Sequence, residues 1–203
     1  MDYIFGRLTK NRWFMNILVI NANPKSISLT RSLAVEYSKA ANKKHQVKEI
    51  HISDLKYDNN LIEGYDVIQE LEPDLQGLQE SILWADHIAI FTPVWWGTVP
   101  AAFKGIFDRI LLPGFAFQYE EGKQIPKKLL KGRTSELVIN LDTPVWYYKV
   151  FQGNVIYKHL KRTILDFVGI KNKRTSYMGP VISAKNDAIE GWLTKAMQLG
   201  SNL

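Results

Sequence analysis

Two stretches of this sequence gather groups that could do chemistry. In Asn21-Ala22-Asn23-Pro24-Lys25-Ser26-Ile27-Ser28-Leu29-Thr30, the hydroxyls of Ser26, Ser28 and Thr30 cluster just after the apolar run Ile17-Leu18-Val19-Ile20 and just where a stripe of helical spacing begins. Free backbone N–H groups and the positive end of a helix dipole make such a junction a phosphate site. Ser28 also reads as a plain helix cap, and the two roles are compatible. In Thr92-Pro93-Val94-Trp95-Trp96-Gly97-Thr98, two indoles lie side by side after a second apolar run. Both cannot face a core, so at least one lines a concave surface suited to a flat aromatic ligand; tryptophans that merely cover a sheet end are the alternative. Pro93 stiffens the entry, and Gly97 permits close approach or a positive φ.

Other chemistries lack their residues. With no Cys there is no thiolate metal site, disulfide or cysteine nucleophile. His45 and His51 have no partner at metal-ligand spacing, so no metal site is expected. The three-glycine dinucleotide fingerprint and the Walker lysine motif are absent. A chain of 203 residues, 46% hydrophobic and 23% charged, is too apolar for disorder and fits one globular domain. No apolar run approaches the ~18 residues of a membrane span. Asp2 and Arg7 break any secretory signal, so a soluble cytoplasmic protein is expected. The net charge of +6 comes largely from Lys123, Lys127, Lys128, Lys131 and Arg133, and from Lys158, Lys161, Arg162, Lys171, Lys173 and Arg174. No nucleic-acid motif accompanies them, and no nucleic-acid partner is expected. They read as solvated faces, or as a basic rim that attracts a phosphorylated ligand.

The elements that must position these loops follow from periodicity. Ile17–Ile20, Gln46–Ile52, His87–Phe91, Glu136–Leu141 and Lys173–Met178 read as strands. Leu29, Leu33, Tyr37 and Ala41 mark one helix. Phe103, Ile106, Phe107, Ile110 and Leu111 mark another, followed by an excursion from Pro113 to Gly132. Pro73 opens a short helix toward Trp84. Tyr157, Leu160, Ile164, Phe167 and Val168 form a stripe stopped by Gly169, and Ile189, Trp192, Leu193 and Ala196 form the last. Strands alternating with helices predict an α/β fold, a doubly wound parallel sheet with helices on both faces. Ligands of such sheets bind beyond the strands' carboxyl ends, which singles out loops 21–28, 92–98 and 141–148. Residues 1–14 fit no period and are expected to be an N-terminal extension or arm, with 15–203 a single domain.

The run Phe91-Thr92-Pro93-Val94-Trp95-Trp96-Gly97-Thr98-Val99-Pro100-Ala101-Ala102-Phe103-Lys104-Gly105-Ile106-Phe107-Asp108-Arg109, continued by Pro113-Gly114-Phe115-Ala116-Phe117-Gln118-Tyr119, resembles the signature of the flavodoxin-like NAD(P)H:quinone oxidoreductases, the group of DT-diaphorase, the modulator-of-drug-activity proteins and the potassium-efflux ancillary reductases. The resemblance spans roughly residues 15–200. It implies a flavodoxin-like five-stranded sheet in the order 2-1-3-4-5, bound FAD or FMN, and NAD(P)H as co-substrate. By that resemblance Asn23, Ser26, Ser28, Leu29 and Thr30 hold the flavin phosphate. Pro93, Val94, Trp95, Trp96 and Gly97 hold the isoalloxazine, and Asp142, Thr143 and Pro144 form the third flavin loop. Tyr119, Tyr147 and Tyr148 become the candidates to position an acceptor. The implied activity is hydride transfer from NAD(P)H through the flavin to a quinone or similar flat acceptor, by a ping-pong cycle in a homodimer with its sites at the subunit junction. A flavin-binding regulatory subunit acting through a protein partner is the alternative. Two departures stand out. Asn23 occupies a position where the family commonly has His, and Asp142-Thr143-Pro144 replaces a glycine-rich loop. His159 falls inside a predicted helix, where a role on its surface is expected.

Overall fold

The computed structural model describes residues 14–67 and 69–203; of the expected arm at 1–14, all but Phe14 lies outside them. Five strands, β1 (Asn16–Asn21), β2 (Gln46–His51), β3 (His87–Pro93), β4 (Thr134–Asn140) and β5 (Lys171–Met178), form one sheet in the order β2-β1-β3-β4-β5. Every neighbouring pair is parallel. Helices α1 (Leu29–Ala41), α2 (Pro73–Trp84), α3 (Ala101–Ile110), α4 (Val145–Val150), α5 (155–168) and α6 (Asn186–Ser201) connect and cover it.

Side chains alternate across a strand, and that period sorts β1 into two cores. Leu18 and Ile20 face Leu75, Ile82, Phe103 and Leu160 on one side. Ile17 and Val19 face Leu33, Tyr37 and Leu199 on the other. The runs are continuously apolar because both faces are covered. On the second side α1 and α6 approach closely. A Cβ at Gly200 would run into the Tyr37 carbonyl oxygen, so this contact requires glycine.

Two features depart from the sequence reading, and a third was not visible in it. Loop 141–148 is not all loop: Pro144 takes the N-cap place with φ −53°, and α4 follows at once. A proline there gives up no helical hydrogen bond. The middle of α5, Lys158–Leu165, is a π-helix. The irregular stretch after β2 is strapped down by Arg109, whose buried guanidinium donates to the carbonyls of Asp58 (2.6 Å) and Glu70 (2.8 Å) and pairs with Glu72 at 2.9 Å. Among the described residues, no helix is long and apolar enough to cross a membrane.

Under α1 a charge is buried at the sheet's centre. Glu136 on β4 accepts from the Tyr37 hydroxyl and, at 2.7 Å, from Arg174 Nε, with His87 Nε2 3.5 Å away. Burial pushes the Glu136 carboxyl up, but His87, Tyr37 and Arg174 together outweigh it and hold it below its ordinary value. His45 is buried, and among the described residues only the Leu203 backbone approaches it as a hydrogen-bond partner, too poorly placed for a full bond. Its burial, aided by Lys44, lowers the imidazole's affinity for a proton. The unfolded chain regains the ordinary value of about 6.5, so below that pH it binds more protons than the folded chain. Stability present above about pH 6.5 is therefore lost as the pH falls toward the folded value. Urea midpoints should be level above about pH 7 and drop on acidification toward about pH 5.5. His45→Gln should remove part of that drop, since burial also lowers His51 and His159. A midpoint in His45→Gln with the same pH dependence as the parent would refute this account of His45.

Candidate functional site

Three loops meet at the carboxyl edge of the sheet. The first leaves β1 and enters α1. Ser28 caps the helix through Oγ, which accepts from the Arg31 N–H at 3.2 Å. From Ser26 to Thr30, five successive backbone N–H groups have no acceptor among the described residues. Such a run at a helix start forms an anion cradle. The expected phosphate ligands divide here. Ser26 is exposed and Ser28 and Leu29 are partly exposed, whereas Asn23 and Thr30 are buried. Asn23 Nδ2 donates to Thr30 Oγ1 (3.1 Å), and its Oδ1 accepts from the Lys25 N–H (3.0 Å). Their side chains shape the loop from beneath.

The second loop is a tight reversal. Trp95 and Thr98 exchange backbone hydrogen bonds of 2.8 and 3.0 Å, and the two residues between them both have positive φ, 49° at Trp96 and 79° at Gly97. That is a mirror-image, type I′ turn. Glycine adopts it freely. An indole-bearing residue does not, and such strain costs about 1–3 kcal/mol. Trp96 carries its ring fully into solvent, and Trp95 is exposed as well. Pro93 is buried as the last residue of β3, beneath the turn. Among the described residues the Trp96 and Gly97 N–H groups at the tip have no acceptor.

Opposite stands the third loop. Val94, Trp96, Gly97, Asp142, Thr143 and Gln152 line one cavity of about 410 Å³. Asp142 and Thr143 add two further N–H groups without acceptors among the described residues, and Pro144 has none to give. Gln152 was not among the expected residues; it enters because α4 turns the chain back over the loop. One buried residue ties the three loops together. Asn140, the last residue of β4, accepts from Thr30 Oγ1 through Oδ1 (3.0 Å), and its carbonyl accepts from the Val94 N–H (2.9 Å). No motif marked it in the sequence. Nearby, Asn21 Nδ2 is buried without an acceptor among the described residues.

The three tyrosines fare differently. Tyr147 is exposed on α4, stacked on Phe151 with centroids 5.1 Å apart. Tyr148, expected beside the ligand, is instead fully buried, and its hydroxyl oxygen accepts from the Ile156 N–H at 2.9 Å. Helical geometry is the reason: neighbours on α4 point in different directions, so one tyrosine faces solvent and the other pins α4 to α5. Tyr119 is exposed, but it lines a separate cavity of about 480 Å³ between α3 and α5 that shares no lining residue with the three-loop mouth.

Known proteins bear on this geometry. A family model described as flavodoxin-like fold matches residues 15–199. An uncharacterized NAD(P)H oxidoreductase of Haemophilus influenzae is 29% identical over 197 residues, covering 91% of this chain and 93% of its own. NAD(P)H dehydrogenase [quinone] 1 of Rattus norvegicus is 41% identical over 131 residues, covering 60% of this chain and 47% of its own. Among solved structures, an FMN-dependent NADH-azoreductase of Bacillus anthracis in complex with FMN superposes with a TM-score of 0.66 at 18% identity, covering 92% of this chain and 98% of that one. The sheet order, the match over nearly the whole length and the three converging loops agree, and the chain belongs to the flavodoxin-like fold family.

Proposed function

We propose that this chain is a flavin-dependent oxidoreductase that passes two electrons from NAD(P)H to a quinone or similar flat acceptor, the two substrates using one pocket in turn. The strained turn at Trp96 and Gly97, facing Asp142 and Thr143, carries this reading. It holds an exposed indole in a conformation that costs energy, next to four N–H groups that lack acceptors among the described residues. A tricyclic ring with carbonyl oxygens and ring nitrogens suits such a set, and the phosphate of FMN or FAD suits the N–H run at Ser26–Thr30. The relatives named above, an NAD(P)H oxidoreductase, a quinone dehydrogenase and an FMN-dependent azoreductase, support the same chemistry.

When bound, a flavin supplies the hydride chemistry itself. The chain's part is placement and field. The N–H groups of Trp96, Gly97, Asp142 and Thr143 would stabilise negative charge as it develops on the ring system, and they need no reorganisation because Asn140 fixes their loops. No side-chain acid or base is required for the transfer. Tyr147 stands exposed beside the third loop, and Tyr148 keeps α4 in position to support it. Tyr119 lies in the other cavity. A homodimer in which one copy's Tyr119 wall closes over the partner copy's three-loop mouth would bring acceptor and flavin together.

Two outcomes are expected. In anaerobic stopped flow, NADH or NADPH should bleach the bound flavin within a catalytic turnover; failure of both would end the oxidoreductase reading. Trp96→Gly should relax the turn and raise unfolding stability by about 1 kcal/mol, while weakening flavin binding by ~10-fold as the stacking ring is lost. Equal loss of both stability and affinity would show that Trp96 serves the fold instead.

A further inference from the structure

Charge is spread unevenly along this chain. From 57 to 103 the sequence carries eight acidic residues and no lysine or arginine, although the whole has a net charge of +6. The first part of that stretch is the connection that Arg109 straps down after β2. Glu63, Asp66 and Glu70 are exposed there, and their carboxylates have no partner among the described residues. Ile62, Tyr65 and Val67 stand exposed between them. Exposed apolar groups rimmed by charge have the form of an interaction surface.

The same stretch walls a cavity of about 290 Å³. Leu61, Val67, Leu112 and Pro113 make it apolar, and Gln69 and Arg109 bring polar atoms to it. Its volume suits one large side chain better than a cofactor, whose pockets start at about 300 Å³. Arg109 is buried, with both terminal nitrogens spent on Asp58, Glu70 and Glu72, while its Nε–H has no acceptor among the described residues. A buried donor left unpaired is costly, and an oxygen supplied by a ligand removes that cost. Gln69 Oε1 accepts from the Ile62 N–H at 3.4 Å, so its amide nitrogen is a second donor. A lone arginine would invite a carboxylate. Here Glu72 already neutralises the guanidinium, and the acidic rim repels a further negative charge. What fits is an uncharged carbonyl oxygen carried on a cationic body.

We propose that this surface docks a basic segment of a protein partner. One apolar side chain enters the cavity, a backbone carbonyl beside it accepts from Arg109 Nε, and flanking lysines or arginines meet Glu63, Asp66 and Glu70. A polypeptide supplies all three at once: anchor, carbonyl and positive charge. A nucleic acid or an acidic peptide is turned away by the rim, and a small apolar molecule leaves the carboxylates unused. The charges steer the approach, and the anchor in its pocket holds the complex. None of the cavity's residues lines the three-loop mouth, so this inference goes beyond the flavin reading and stands or falls separately.

The test is fluorescence anisotropy of the full chain with a labelled, amidated peptide of sequence Lys-Arg-Leu-Arg-Lys. Two control peptides carry glycine in place of the leucine, or glutamate in place of each basic residue. The leucine peptide should bind, the glycine peptide ~10-fold more weakly for want of its anchor, and the glutamate peptide not at all. Glu63→Gln, Asp66→Asn and Glu70→Gln together should weaken the leucine peptide ~10-fold and flatten its salt dependence, with bleaching of the flavin by NAD(P)H unchanged. Leu61→Trp, which fills the cavity, should lose the preference for leucine over glycine. A parent that does not hold the leucine peptide, or holds the glycine peptide equally well, would overturn the proposal. So would a triple variant that binds as the parent does. A parent that sediments as a dimer and a triple variant that sediments as a monomer would assign the surface to a second copy of this chain, and overturn it too.

Discussion

The site rests on how Asn140 is bonded. At the end of β4 its side chain accepts from Thr30 in the first loop, its carbonyl accepts from Val94 in the second, and its own chain runs on into the third. The side-chain bond is buried, so it cannot be exchanged for water without leaving a polar group unpaired. Loops are normally the mobile part of a parallel α/β fold. Here they are held in one register by a single residue on a central strand, and the field of their free N–H groups has a fixed direction.

The rest of the fold supplies rigidity behind that edge. The buried Glu136 with Tyr37 and Arg174 joins β4 to α1 and β5, on the face opposite the large cavity. Arg109 does the same for the long connection after β2 by gathering two carbonyls and Glu72. A buried guanidinium is expensive unless every donor is used, and in this chain only its Nε is left over. The same α3 that presents Arg109 inward presents Phe107 and Asp108 to the cavity, so the strap and the cavity wall share one helix.

Most of the architecture was legible because it is written in periods. Leu18 and Ile20 against Ile17 and Val19 announce a strand covered on both faces, and Phe103, Ile106 and Ile110 announce a helix. Trp95-Trp96-Gly97 announced that both indoles could not face a core, and both are exposed, with the positive φ that Gly97 allows. What stayed hidden depends on contacts across the sequence. Nothing local distinguishes Asn140, whose partners are 110 and 46 residues away, counting from Thr30 and Val94. Tyr147 and Tyr148 are indistinguishable as neighbours until α4 gives each a direction. The π-helical stretch that sets His159, half-buried, in the wall of the large cavity has no sequence signature of its own.

The central claim is that these three loops together seat one flavin. The direct measurement is to denature the purified protein, identify any released chromophore by chromatography and its visible spectrum, and dialyse the stripped chain against excess FMN and FAD. About one flavin per chain, present on isolation or regained in dialysis, is the predicted result. A colourless protein that retains neither nucleotide after dialysis would contradict it.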